Sequence, residues 1–194
     1  MDTAAPEHND QRTRLHRATW LAVYLTSGAC SLAYQVVWAR IVQQAVGSTV
    51  YAVSLVTAVF MGGLAVGSRW GGRVADRVHS PLRGYAVVEA ATTMLAALSF
   101  VLLPVAGNAY AAAVSGAEQA GTVVRALAMI VLPLLLVAPV TTAMGMSLPL
   151  LTRGLTNRAK SLGRDAGLVY VVNTGGAVLG ALVAGFVLVG AVGL

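Results

Sequence analysis

The 194-residue chain is 57% hydrophobic and only 10% charged, and its formal net charge is +6. A water-soluble domain carries about a quarter charged residues, so this chain has too few polar groups to cover its surface in water. Its basic character does not indicate nucleic acid as a partner, because no basic cluster is combined with aromatic residues that could stack on bases. Basic residues between apolar segments instead favour a lipid bilayer with anionic headgroups. The composition therefore predicts an integral membrane protein.

The chain divides into a polar tail and one helical domain. Residues 1–17 are mixed in charge and aperiodic, which predicts a disordered cytoplasmic tail, and residues 18–194 form a polytopic transmembrane domain. An odd number of helices and the apolar end at Leu194 lead us to expect a C-terminally incomplete domain that has six helices when complete. Five segments of this domain are apolar enough and long enough to cross a bilayer: 18–37, 48–70, 84–105, 123–152 and 166–189.

Glycines mark the second and the fifth segment, which share the pattern Gly-Gly-x-x-x-Gly. Gly63, Gly67 and Gly71 recur at every fourth position, and Gly176 and Gly180 have the same spacing. On a helix this spacing places bare backbone on one face, so that a neighbouring helix approaches closely. We predict helix-packing faces at these glycines, which would also suit a homo-oligomer. The alternative is that glycine is simply frequent in membrane helices.

Few strongly polar side chains interrupt the predicted helices. Glu89 lies little more than one turn inside the third helix, where a carboxylate is costly to bury, up to about 2.5–3.5 kcal/mol at mid-bilayer. We favour a cytoplasmic charge network in which Glu89 pairs with arginines of the adjacent loop, and this network would include Arg73, Asp76 and Arg77. A role of Glu89 with a substrate or a proton is the alternative. Two further candidate intramembrane polar residues are Gln35, which we expect to hydrogen-bond to another helix or to line a cavity, and Asn173.

The distribution of lysine and arginine predicts the orientation of the helices. With the N-terminus in the cytoplasm, eleven of the thirteen basic residues lie inside, and only Arg40 and Arg125 lie outside. Cytoplasmic loops carry such an excess of basic residues. We therefore expect a multi-pass protein of the cell (inner) membrane whose N-terminus is cytoplasmic.

No catalytic, cofactor or metal site is predicted within this chain. Its paired glycines lie in apolar helices and not in a loop that joins a strand to a helix, as nucleotide sites require. The sequence has no Ser/His/Asp set, no cluster of metal ligands and no pair of facing carboxylates. Cys30 is the only cysteine, which excludes an internal disulfide and a CxxC site.

The loop after the second helix resembles a motif of major facilitator transporters. Residues 72–77 read GRVADR and match the first part of Gly-x-x-x-Asp-Arg/Lys-x-Gly-Arg/Lys, whereas residues 79–81 depart from it. In that family the aspartate and the arginines tie helix ends together, so the resemblance implies this role for Arg73, Asp76 and Arg77. Each half of these transporters is built from two inverted three-helix repeats. The fold implied is a major-facilitator-like half.

Five blocks of sequence follow one another between Thr26 and Leu194: SGACSLAYQVVWARIV, GSTVYAVSLVTAVFMGGLAVGSRWGGRVADR, YAVVEA, MGMSLPLLTRG and GLVYVVNTGGAVLGALVAGFVLVGAVGL. In this order they resemble the membrane portion of membrane-bound spermidine synthase-like proteins, also called fused major facilitator/spermidine synthase proteins. Gln35 departs from the resemblance, because members of that family commonly have glutamate there.

In that family a soluble aminopropyltransferase domain, which uses decarboxylated S-adenosylmethionine and a polyamine, usually follows the helices. Neither that domain nor its cofactor site lies in this chain. The resemblance implies that the chain anchors or partners such a cytoplasmic domain, in the same polypeptide or in a partner, so whether it belongs to an enzyme stays open. Two alternatives also stay open: a half-transporter for a small solute such as a polyamine or another cation, and a purely structural membrane anchor.

Overall fold

A computed structural model describes residues 4–116, 122–156 and 161–192, and their regular structure is entirely helical. A π-helical segment, Ala184–Leu188, interrupts the last helix and is followed by the short helix α6, Val189–Val192. The five long helices are α1 (Ala4–Val46), α2 (Thr49–Arg77), α3 (Pro81–Gly116), α4 (Thr122–Leu155) and α5 (Leu162–Val183).

Within the described residues, five helical segments are long and apolar enough to cross a membrane, and this confirms the predicted number of spans. The helices suggest a multi-pass membrane protein. Large apolar side chains cover their outer faces, as lipid-facing surfaces require. On α3, for example, Val87, Met94, Leu98 and Val101 are exposed along one stripe, and the opposite stripe is buried.

The helices extend further than the sequence predicts. α1 already begins at Ala4, so the structure differs from the disordered tail expected over residues 4–17, and α3 continues through residues 107–116, where a loop was expected. A helix that has already formed is extended at little cost, because the costly step is the first turn. Alanine-rich stretches such as residues 111–113 also favour the helix. The division of the chain at residue 17 stays a prediction.

Two parallel helix pairs form the bundle: α2 packs along α4, and α1 packs along α5. α3 lies mainly against α4 and also contacts α1. One end of the bundle carries the α2–α3 connection and the α4–α5 connection, and Arg17 of α1 lies there beside the start of α5. We call this the basic end. Gly154 near the end of α4 lies against Leu82 at the start of α3, which places the two connections side by side.

The predicted glycine faces form the contacts within both pairs. A Cβ atom at Gly67 or Gly71 would collide with backbone atoms of α4, and one at Gly63 would collide with Thr141. On α5, a Cβ atom at Gly176 or Gly180 would collide with the backbone of α1. The helices of each pair therefore touch backbone to backbone, as glycine in this spacing permits.

The buried side chains form two clusters, one at each end of the bundle. The cluster at the basic end consists of Tyr24, Ala75, Tyr85, Leu150, Leu151, Leu155 and Val169. The cluster at the opposite end consists of Trp38, Val42, Ala52, Val56, Val59, Phe60, Ala96, Leu103, Val137, Val140 and Met144.

Candidate functional site

The carboxylate of Glu89 joins three helices between the two clusters. Ser27 on α1 donates its hydroxyl to both carboxylate oxygens, each at an Oγ–O distance of 3.0 Å. Ser147 on α4 donates to Oε1 at 2.9 Å. Because these donors are neutral, they hold the carboxylate without cancelling its charge. An ionised carboxylate accepts about four hydrogen bonds, so the group retains capacity for a further donor.

The structure does not bring Glu89 to the arginines that the sequence predicts as its partners. Arg73, Asp76 and Arg77 lie on the last turns of α2, and their side chains are exposed. α2 packs on α4 and α1, whereas Glu89 faces α1 and α4 from α3. Among the described residues, Glu89 takes part in no ion pair. Within the described part of the chain, Glu89 is therefore not part of the predicted charge network.

A cavity of about 300 Å³ opens beside Glu89, between α1, α3 and α4. This volume is at the lower end of the range for small-molecule pockets, roughly 300–1,000 Å³. Glu89 is the acidic residue in its lining. The other lining residues are six hydroxyl-bearing residues, Thr26, Ser27, Ser31, Tyr34, Thr92 and Thr93, and three without a hydroxyl, Val23, Cys30 and Met144.

Thr92 differs from the other hydroxyl-bearing residues of the cavity. Thr93 donates its hydroxyl to the Glu89 carbonyl at 2.9 Å, and Thr26 donates to the Ala22 carbonyl at 3.1 Å, as threonines in helices often do. The Thr92 side chain is only 5% exposed, and its Oγ1 atom has no hydrogen-bond partner among the described residues. A buried, unpartnered hydroxyl is costly, and Thr92 is one of the residues that line the cavity.

An aromatic cluster lies between Glu89 and the basic end. Tyr85, one turn before Glu89 on α3, is fully buried. Its ring meets the rings of Trp20 and Tyr24 edge to face, with centroid distances of 5.6 Å and 6.0 Å. The Tyr85 hydroxyl makes no hydrogen bond of good geometry among the described residues, but it lies close enough to the Glu89 carboxylate to interact with it. The cluster leaves a second buried hydroxyl close to the carboxylate.

Gln35 lies at a second cavity, nearer the opposite end of the bundle. Its Nε2 atom donates to Thr57 Oγ1 on α2 at 3.1 Å, and the side chain also lines a cavity of about 460 Å³ together with Arg40 and Gln43. No acidic residue is among the described residues that line it. The structure thus places Gln35 in both of the roles considered for it. Asn173 lies on α5 against Gly28 of α1, within the α1–α5 contact.

An ion pair at the basic end was not predicted. Arg17 donates a hydrogen bond from its guanidinium to the carboxylate of Asp165, which is only 4% exposed at the first turn of α5. The sequence places Arg17 in a tail and Asp165 in a loop, and 148 positions separate them. One hint in the sequence indicates a structural role for Asp165: it lies at the start of a helix, where the helix dipole stabilises negative charge.

Among the described residues, no three His, Cys, Asp or Glu side chains lie close enough together to hold a metal ion. The chain matches no family model, no curated protein and no solved structure. Its relation to spermidine synthase-like membrane proteins therefore stays a prediction from the sequence.

Proposed function

We propose that the chain is the membrane domain of a spermidine synthase-like protein and holds an aminopropyltransferase domain at the cytoplasmic face of the cell (inner) membrane. The supporting observation is the charge of the basic end. Exposed cationic side chains there flank both helix connections and offer a surface to an acidic face of a soluble domain. They are Arg73, Arg77, Arg83, Arg153 and Arg164. This chain contributes no group to the transfer reaction in the proposal.

A cytoplasmic N-terminus is part of the proposal, because the dominance of basic residues at one end follows the positive-inside rule.

The major-facilitator-like half is supported by the way the two helix pairs correspond. With alternating crossings, α1 and α4 run in opposite directions, and so do α2 and α5. Exchanging α1 with α4 and α2 with α5 converts the α1–α5 pair into the α2–α4 pair, as an inverted repeat requires.

The individual contacts of the two pairs correspond in register. The glycines and their partners have the same spacing along the chain in both pairs. This register matches Gly67 with Gly176, one turn away from the Gly63–Gly176 match that the Gly-Gly pattern suggests. Three contacts of the α2–α4 pair each have a counterpart in the α1–α5 pair. The Gly67–Thr142 contact corresponds to Gly176–Leu25, the Gly71–Met146 contact to Gly180–Ala29, and the Gly145–Leu64 contact to Gly28–Asn173.

The proposal is tested in the native host, with the chain in its natural polypeptide or complex. Aminopropyl transfer from decarboxylated S-adenosylmethionine to a diamine is measured in washed membranes with and without the gene. We expect the membrane-bound activity to disappear with the gene. The charge-reversing variants Arg83→Glu and Arg164→Glu should release activity into the soluble fraction or lower it, if the enzyme domain docks at the basic end.

Arg40→Glu is the matched control, because Arg40 is exposed on α1 away from the basic end. It should leave the activity in the membranes. Membranes that show no gene-dependent transfer, with the protein present at normal amount, would contradict the proposal. An intact mass of the native product equal to 19.9 kDa would require the enzyme domain to be a separate subunit.

A half-transporter for a small cation is the second candidate, and the Glu89 cavity is the observation that favours it. A carboxylate inside a membrane helix commonly marks a substrate or ion pathway. The test is uptake of a labelled amine by vesicles that contain the purified protein. Uptake that Glu89→Gln abolishes would support this candidate, and uptake no faster than in empty vesicles would leave the structural anchor, as a monomer or a homo-oligomer.

A further inference from the structure

We infer that the cavity beside Glu89 binds the ammonium group of a small organic amine. The inference names the ligand class of the cavity on which the second candidate function also rests, and its test measures binding and not uptake. An ammonium group has three N–H donors and no acceptor. It therefore needs a negative charge and several oxygen acceptors within one small space.

The cavity supplies these acceptors. The Glu89 carboxylate has room for a further donor after binding Ser27 and Ser147. The Oγ1 atom of Thr92 is buried, has no partner among the described residues, and belongs to a residue that lines the same cavity. Ser31 uses its hydroxyl hydrogen on the Ser27 carbonyl at 2.8 Å, so its oxygen is free to accept.

The lining favours a monovalent organic cation over a metal ion. Ca²⁺ takes six to eight oxygen ligands, several of them carboxylates, and Mg²⁺ usually keeps several of its waters, whereas this cavity has a single acid. One carboxylate balances one positive charge. Val23 and Met144 supply an apolar wall for an alkyl chain. A cavity of about 300 Å³ also exceeds the space of a bare ion.

The chain contains its own reporter for this cavity. Cys30 is its single cysteine, is exposed and lines the cavity. We would measure the rate at which N-ethylmaleimide alkylates Cys30 in the purified protein in lipid nanodiscs. n-Butylammonium is added as the probe, at constant pH and ionic strength. n-Butanol, a neutral molecule of similar shape, and sodium chloride are the comparison compounds.

We expect n-butylammonium to slow the alkylation in a saturable way, and n-butanol and sodium to have no comparable effect. Glu89→Gln keeps the size of the side chain and removes its charge. It should raise the half-protecting concentration at least about ten-fold, the loss expected when a charge-assisted hydrogen bond disappears. Asp76→Asn removes an exposed acid elsewhere and should leave that concentration unchanged.

Thr92→Val separates ligand binding from a purely structural role. It replaces an unpartnered buried hydroxyl by a methyl group of the same shape, so the thermal midpoint without ligand should stay equal or rise. The half-protecting concentration should nevertheless rise several-fold. This variant also keeps the test valid if Glu89→Gln fails to fold.

Three results would overturn the inference. The first is equal protection by n-butanol, because the cavity would then bind apolar molecules. The second is equal protection by sodium, which would make the site one for a small inorganic cation. The third is protection by n-butylammonium that both Glu89→Gln and Thr92→Val leave unchanged.

Discussion

The neighbouring glycines Gly71 and Gly72 give a direct test of the packing between α2 and α4. A Cβ atom at Gly71 would lie 2.6 Å from the Met146 Cα atom and 2.8 Å from the Pro149 Cγ atom, whereas one at Gly72 would meet nothing within 4 Å. Ordinary contact begins at 3.4 Å. Gly71→Ala therefore requires a shift of about 0.8 Å against a backbone atom, which a side-chain rotation cannot provide.

We expect Gly71→Ala to lower the free energy of unfolding by about 1–3 kcal/mol, the usual cost of overpacking. Gly72→Ala should raise it by roughly 0.5–1 kcal/mol, because alanine loses less backbone entropy than glycine in a helix. Both values are measured by reversible unfolding in mixed detergent micelles with increasing dodecyl sulfate. Equal effects of the two substitutions would show that α2 and α4 do not touch at Gly71, and would refute the backbone-to-backbone packing of this pair.

Four further outcomes are expected from the same unfolding measurement. Arg17→Gln should cost about 1–3 kcal/mol, because it removes the positive charge beside the buried Asp165 carboxylate and leaves it only the neutral partners Ser161 and Thr156, and Asp165→Asn added to it should recover part of the loss. Trp38→Phe should cost about 1–2 kcal/mol by removing the hydrogen bond from Nε1 to Ser99 Oγ at 3.0 Å; Trp70→Phe, at an exposed position, should stay within roughly 0.5 kcal/mol. Thr152→Val should be neutral or stabilising, because the Thr152 hydroxyl is buried without a partner among the described residues. Thr141→Val should cost about 1 kcal/mol, because it removes the hydroxyl that donates to the Val137 and Ala138 carbonyls. Gly28→Ala and Gly145→Ala should destabilise the protein to a similar extent, because they occupy equivalent contacts; a large difference would argue against the repeat.

The spans and the glycine faces could be predicted because their signals are local. An apolar segment of sufficient length and a glycine at every fourth position are properties of one helix. The same pattern does not distinguish Gly71 from Gly72, since the difference arises only where α4 approaches. For the same reason, the register between the two pairs becomes visible only in the contacts.

The partners of Glu89 could not be predicted, because Ser27 and Ser147 lie 62 and 58 positions away from it. Serine and threonine are also ambiguous in a membrane helix. Several of the described ones bond to a carbonyl of their own helix, as Thr93 and Thr26 do, and the sequence does not show which hydroxyl faces another helix. The expectation of an arginine partner followed from proximity along the chain, and it failed because α2 and α3 each pack on α4.

The same carboxylate connects the two helix pairs and lines the cavity. Gly28 next to Ser27 lies at the α1–α5 contact, and Gly145 near Ser147 lies at the α2–α4 contact. Each serine is therefore carried by a helix held backbone to backbone within its own pair, and Glu89 accepts from one serine of each pair. An ammonium group bound in the cavity would be a further donor to Glu89, beside these two serines. The carboxylate that lines the cavity is thus also the group that hydrogen-bonds to one helix of each pair.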